Sequence, residues 1–220
     1  MHDIPRWAYG LWPAVLFNIG LVLVFALSFL TPRRRVEWRS MGLFAAWIAA
    51  LFTEMYGFPL TIYALSALLG RAYPAADPFS HKNGHLLVAL AGGSPVVYGV
   101  VMIVTPIMFW ISIAIMSHGW RRIHQAKGEL VTNGIYAHVR HPQYLGLFLL
   151  IGSLLIQWPT ILSVVMAPVL FVAYIRLASR EDRELESLFG EAYRDYKARV
   201  PAFFPRFGVA GRSEGEPHAA

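Results

Sequence analysis

Between Asn133 and Tyr144 the chain reads Asn-Gly-Ile-Tyr-Ala-His-Val-Arg-His-Pro-Gln-Tyr, which puts two phenols, two imidazoles and a guanidinium in one short segment. Asn133-Gly134 is a turn signal, and Pro142 suits the first position of a helix. A helix starting there offers unpaired backbone N–H groups and the positive end of its dipole, so a carboxylate is held favourably beside Arg140 and His141. A second charged run, Arg180-Glu181-Asp182-Arg183-Glu184, closes the last apolar stretch. From Glu181 onward, Leu185, Leu188, Phe189, Tyr193 and Tyr196 recur at spacings that place them on roughly one helical face. A carboxylate at Glu181 suits hydrogen bonds from a ribose diol or pairing with a cation. Both runs also have a plainer reading. Arg140 and His141 suit interfacial anchoring, Tyr136 and Tyr144 an aromatic belt, and Arg180 an ion pair with Glu184 on an exposed helix.

Glu54 is the one acidic residue inside an apolar span, and an intramembrane carboxylate points to function: a general base or a ligand for a cationic group. A structural hydrogen bond or ion pair is the alternative. His81 and His85, with Asp77 near, have the look of a metal site, but Asn83 and Gly84 argue against a helix there and no further ligand stands close. His138 and His141 give no better metal site. No glycine-rich phosphate loop and no Ser-His-Asp pattern occurs.

The elements that must position these groups are membrane helices. The 220 residues are 56% hydrophobic and 15% charged, against about 25% charged in an ordinary soluble domain. With no cysteine, disulfides, thiolate nucleophiles and cysteine zinc sites are excluded. The net charge of +6 flanks apolar spans, which favours anionic lipid headgroups over nucleic acid as its partner. A spanning helix takes roughly 20 apolar residues. Stretches of that kind run over 10–30, 41–70 (with Gly57 and Pro59 as a break), 95–117, 144–157 and 160–178. Trp158-Pro159 leaves so short a turn that the last two form a tight helical hairpin. The expected fold is all-α, a polytopic membrane protein of about five spans with cytoplasmic helices after them. Gly190 interrupts those helices and Pro201 ends them. Residues 1–117 form an N-terminal group of three spans on the acceptor side, 118–207 the functional core, and 208–220 a disordered tail. The first span is read as retained, because its apolar core is too long for a signal peptide and an arginine block follows it. With the N-terminus outside, 16 of the 19 Lys and Arg lie inside, all but Arg6, Arg71 and Lys82. Both polar runs then face the cytoplasm.

Gly134-x-Tyr136, Arg140-His141-Pro142-x-Tyr144, Glu181-Asp182, Phe189-Gly190-x-x-Tyr193-x-x-Tyr196 and Val200-Pro201 through Pro205, in this order, resemble the isoprenylcysteine carboxyl methyltransferase and phospholipid methyltransferase superfamily. The resemblance covers roughly residues 128–206. It implies an integral membrane enzyme that uses S-adenosylmethionine without a Rossmann-type fold, on a lipophilic acceptor (lipid amine, lipophilic carboxylate or small thiol) entering from the bilayer. By position it implies a cofactor pocket formed by Tyr136, Arg140, His141, Pro142, Tyr144, Glu181 and Asp182. Arg176, one turn before Glu181, becomes a candidate for orienting an acceptor carboxylate, and Glu54 a candidate base for an amine. The second carboxylate is a departure, since the family usually has two glutamates and this chain has Asp182. A sterol-reductase-like NADPH enzyme and a non-catalytic accessory or carrier protein are the competing readings. A bacterial inner membrane is the expected location.

Overall fold

The structure, a computed structural model, describes residues 10–30, 35–69, 84–126 and 128–205. The expected disordered tail 208–220 and the His81–Asp77 pair lie outside the described residues. Within them the regular structure is all helical, with no strand. Helices α1 (Trp12–Phe29), α2 (Arg35–Phe52), α3 (Leu60–Leu69), α4 (Leu86–Leu90), α5 (Pro95–Gln125), α6 (Pro142–Gln157), α7 (Ile161–Phe189) and α8 (Glu191–Arg199) follow one another. Three of them, α1, α5 and α7, are long and apolar enough to cross a membrane, and α6 is apolar but shorter. The protein is an all-α polytopic membrane protein.

The break expected near Gly57 is a π turn over Thr53–Gly57 between α2 and α3. Pro59 supplies the cause: it has no N–H to donate and it pushes the residue before it out of helical conformation. Phe58 is accordingly extended, and its N–H returns to the Thr53 carbonyl at 2.8 Å. The N–H groups of Gly10 and Leu11 donate to the carbonyls of Gly57 and Tyr56, stitching the start of α1 to this turn.

Helix α5 has 31 residues, about 46 Å at 1.5 Å per residue, so it outruns a hydrocarbon layer of about 30 Å. Its end therefore projects past the apolar layer and carries Trp120 and Ile123. Helix α6 opens on Pro142 at its first position, as expected. The connection Trp158–Thr160 is as short as the sequence implies, and Thr160 caps α7 by exchanging side-chain and backbone hydrogen bonds with Ser163. The two arms of this hairpin then part. Helix α6 lies along α5, and α7 lies along α2. Gly146 allows the first contact: a Cβ there would stand 2.4 Å from Met116 Cγ and 2.9 Å from the Ser112 carbonyl. The second is pinned by Trp47 Nε1 donating to the Ser163 carbonyl at 2.8 Å and Tyr174 Oη donating to that of Ser40 at 3.2 Å. Phe44, Trp47, Ile48 and Leu51 of α2 share one core with Leu147, Leu150 and Ile151 of α6 and Leu170 and Tyr174 of α7. Val165, Val169 and Val172 of α7 are exposed on its outer side, an apolar stripe that suits lipid.

Candidate active site

The loop from α5 to α6 is built around its turn. Gly134 sits at φ +62°, the left-handed region that glycine enters without cost, and a 3₁₀ turn Gly134–Ala137 follows. This buries Tyr136, whose hydroxyl donates to the Gly119 carbonyl at 3.4 Å and whose own carbonyl accepts from Tyr196 Oη at 2.7 Å. The N–H groups of Arg140 and His141 donate to the carbonyls of Pro201 (2.9 Å) and Ala202 (3.0 Å), so a strap after α8 pairs with the backbone just before α6. Gly190, at φ +56°, makes the turn from α7 that brings α8 back to this loop.

Consecutive residues on a helix diverge by about 100°. Glu181 and Asp182 therefore pass on either side of the His141 ring. His141 Nε2 lies 2.8 Å from Asp182 Oδ1 and Nδ1 lies 3.5 Å from Glu181 Oε2, with the imidazole itself buried. Asp182 also accepts from Arg140 Nη2 at 3.2 Å and from Tyr193 Oη at 2.5 Å, and Arg140 Nη1 donates to the Lys197 carbonyl at 3.0 Å. Glu181 accepts from the Tyr144 hydroxyl. Burial alone would lower the His141 pKa, but hydrogen bonds and charge from the two carboxylates outweigh it and hold the ring above its ordinary value of 6.5. Burial alone would raise Asp182. The donors His141 and Tyr193 and the charges of His141 and Arg140 bring it down to about 2 instead. The Tyr193 hydroxyl is pushed up by burial and then by Asp182, so it remains a donor. Two carboxylates thus enclose the His141 ring and favour its protonated form, with a guanidinium behind them.

Beside this cluster a cavity of about 470 Å³ opens where the hairpin arms part. Tyr144 and Glu181 line it, with Tyr174, Gln143, Trp120, Glu37 and Glu184, and with an apolar rim of Phe29, Leu30, Met41, Leu177, Leu185 and Leu188. Of the residues the resemblance assigns to a cofactor, these two alone face the cavity. Tyr136, Arg140, His141, Pro142 and Asp182 pack behind them. Tyr174 is a lining residue the sequence reading missed, although it stands seven residues before Glu181 and so within about 20° of it around α7. Gln143 lies inside the recognised motif. Glu37 carries no signal, because only the packing of α2 against α7 brings it here.

Arg176 and Glu54 are not brought to the cluster. Arg176 is exposed. Five residues from Glu181, it points about 140° away around the same helix. Glu54, in the π turn, is buried and accepts the Thr61 N–H at 2.8 Å, while Thr61 Oγ1 accepts from the Ile161 N–H at 2.9 Å. That places it near the start of α7, about 30 Å along the helix from Glu181. His85 bonds through Nδ1 to the Gln157 carbonyl at 2.8 Å, and His138 is exposed.

A sequence model described as phospholipid methyltransferase matches residues 91–192. Protein-S-isoprenylcysteine O-methyltransferase of Schizosaccharomyces pombe is 35% identical over 77 residues, 34% of this chain and 33% of that protein. Methanethiol S-methyltransferase of Crocosphaera subtropica is 32% identical over 77 residues, covering 35% of this chain and 29% of its own length. A cobalt-zinc-cadmium resistance protein of Cupriavidus metallidurans is 31% identical over 106 residues, 46% and 49% of the two chains. The chain thus spans between 29% and 49% of the length of these relatives. No solved structure matches it.

Proposed function

We propose that this chain, which belongs to the superfamily of integral membrane methyltransferases, transfers a methyl group from S-adenosylmethionine to a lipophilic acceptor arriving from the bilayer. One observation carries the reading: Glu181 is fixed by Tyr144 and His141 with part of its carboxylate open to a cavity of about 470 Å³. That volume lies within the ordinary range for small-molecule sites. The donor set also fits the cofactor. Aromatic faces and carboxylates suit a sulfonium, and Glu181 suits a ribose diol or an ammonium. When bound, S-adenosylmethionine supplies an electrophilic methyl group.

The chain's own residues then have positional work. Glu181 and Tyr144 hold and orient the polar part of the ligand. Tyr174 and Trp120 offer aromatic walls, and the rim from Phe29 to Leu188 excludes water and admits apolar chains. In-line displacement at a methyl group depends chiefly on holding donor and acceptor at attack distance, which is what such a cavity provides. Glu54 serves structure here, capping the start of α3 rather than acting as a base. Arg176 faces outward, so we assign it to the membrane surface. The Lys and Arg asymmetry supports a cytoplasmic site with the N-terminus outside, and we place the protein in a bacterial inner membrane.

The names of the relatives supply acceptors to screen: an isoprenylated cysteine and methanethiol, with a phospholipid from the family description. The decisive test is calorimetric binding of S-adenosylhomocysteine to the detergent-purified protein. Wild type should bind, and Glu181→Gln should bind roughly 10-fold or more weakly, the size of one lost charged hydrogen bond. Displacement by NADPH instead would favour the reductase reading. Absence of binding to folded protein would remove the methyltransferase reading and leave the reductase and the non-catalytic ones.

A further inference from the structure

The segment from Tyr193 to Ala202 touches every buried member of the cluster but lines none of the cavity. Tyr193 Oη donates to Asp182, Tyr196 Oη to the Tyr136 carbonyl, and the carbonyls of Lys197, Pro201 and Ala202 accept from Arg140 and His141. Phe203 then lays its ring 5.8 Å from that of His141 and 5.4 Å from Phe148. We propose that Tyr193 is a positioning residue for the site: by donating to Asp182 Oδ1 it fixes the carboxylate that orients His141, and so keeps Glu181 turned to the cavity. The proposal rests on the methyltransferase reading for its functional meaning, and on the hydrogen bonds alone for its geometry.

Asp182 Oδ1 receives two donors at once, His141 Nε2 at 2.8 Å and Tyr193 Oη at 2.5 Å, while Oδ2 receives Arg140. With every donor in place the carboxylate has no freedom to rotate. The ring it holds presents Nδ1 to Glu181. Tyr193 is 1% exposed and its ring meets Tyr196 edge-on at 5.8 Å, so the hydroxyl cannot swing to water. The charged and titratable groups around His141 are Glu181 and Asp182 from α7, Arg140 from the loop and Tyr144 from α6. Around Asp182 they are His141, Arg140, Tyr193 and Tyr196.

The test is Tyr193→Phe, read as the pH dependence of S-adenosylhomocysteine binding and by ¹⁵N shifts of the His141 ring in histidine-labelled protein. Removing the phenol donor leaves Asp182 more basic and its charge more available to His141. Both limbs of the binding profile, and the His141 titration, should move to higher pH by roughly half a unit. Affinity at neutral pH should fall about 3- to 10-fold, less than the loss of a charged hydrogen bond made to the ligand itself, because Tyr193 acts through Asp182 and His141. Loss of affinity equal at all pH values, with an unmoved His141 titration, would overturn the proposal and leave Tyr193 a packing residue. If the phenylalanine variant does not fold, 3-fluorotyrosine at 193 replaces it. As a stronger donor it should move the limbs the opposite way, and unmoved limbs count against the proposal. If wild type binds no ligand but the His141 titration shifts as stated, the geometry stands and the methyltransferase reading falls.

Discussion

The adjacent carboxylates of α7 do different work. Glu181 keeps capacity toward the cavity, whereas Asp182 is surrounded by His141, Arg140 and Tyr193. Replacing Asp182 with Ala leaves the Arg140 guanidinium and the Nε2 side of the buried His141 ring without their partner, a cost of about 3 kcal/mol. It should show as a large drop in thermal stability, while Glu181→Gln stays near wild type in stability and loses ligand. The cluster also sets a pH window. His141 has its pKa raised on folding, so its contribution is complete below 6.5 and disappears as pH climbs through the raised value. Asp182 is depressed from 3.8 to about 2, so its contribution is present above 3.8 and is lost as pH falls toward 2. Melting temperature against pH should therefore form a plateau with a shoulder on each side, and Asp182→Asn should abolish the acid shoulder. A featureless profile in wild type would contradict this assignment. Tyr144, Glu181 and the Arg140-His141-Pro142 run were legible because side chains of the right chemistry stand close together or at a familiar spacing. Which of them would face a ligand was not legible. That depends on the rotation of α7, which packing against α2 fixes.

At the scale of elements, three of the five expected spans, those of α1, α5 and α7, are helices long and apolar enough to cross a membrane, and they could be read because apolar length is a local property. The parting of the hairpin could not, since it depends on which surfaces approach most closely. Gly146 decides it: α6 lies on α5 where a methyl group would collide with the Ser112 carbonyl and Met116 Cγ. Gly146→Ala should destabilise the protein by about 1–3 kcal/mol through overpacking, and lower ligand affinity by displacing Tyr144, two residues away. Differential scanning fluorimetry with and without S-adenosylhomocysteine measures both effects. An unchanged melting temperature would mean that α5 and α6 are less closely packed than the structure has them. The same local logic explains the π turn. Gly57 and Pro59 announced a break, but the placement of Glu54 as a cap for α3 needed the chain to fold back on Thr61.

For the whole molecule, the two ends of α7 divide the labour. One end is tied through Thr61 to Glu54 and through Ser163 to Trp47. The other, tied to α8 and the strap, carries the cavity and the charged cluster. Ending the chain after Pro205 should preserve ligand binding, because every hydrogen bond to Arg140 and His141 is retained. Ending it after Arg199 removes the carbonyls of Pro201 and Ala202 and should cost most of the binding while leaving membrane insertion intact. Pull-down on an immobilised S-adenosylhomocysteine resin compares the two directly, and equal retention would show the strap to be dispensable.

That strap has a consequence for how the protein is made. The backbone partners of Arg140 and His141 are about sixty residues further along the chain, beyond the last apolar helix. A ribosome therefore delivers every described apolar helix to the bilayer before it delivers the residues that brace the loop behind the pocket. During synthesis the half-made protein therefore lacks the backbone partners of Arg140 and His141 until translation has run through to Ala202.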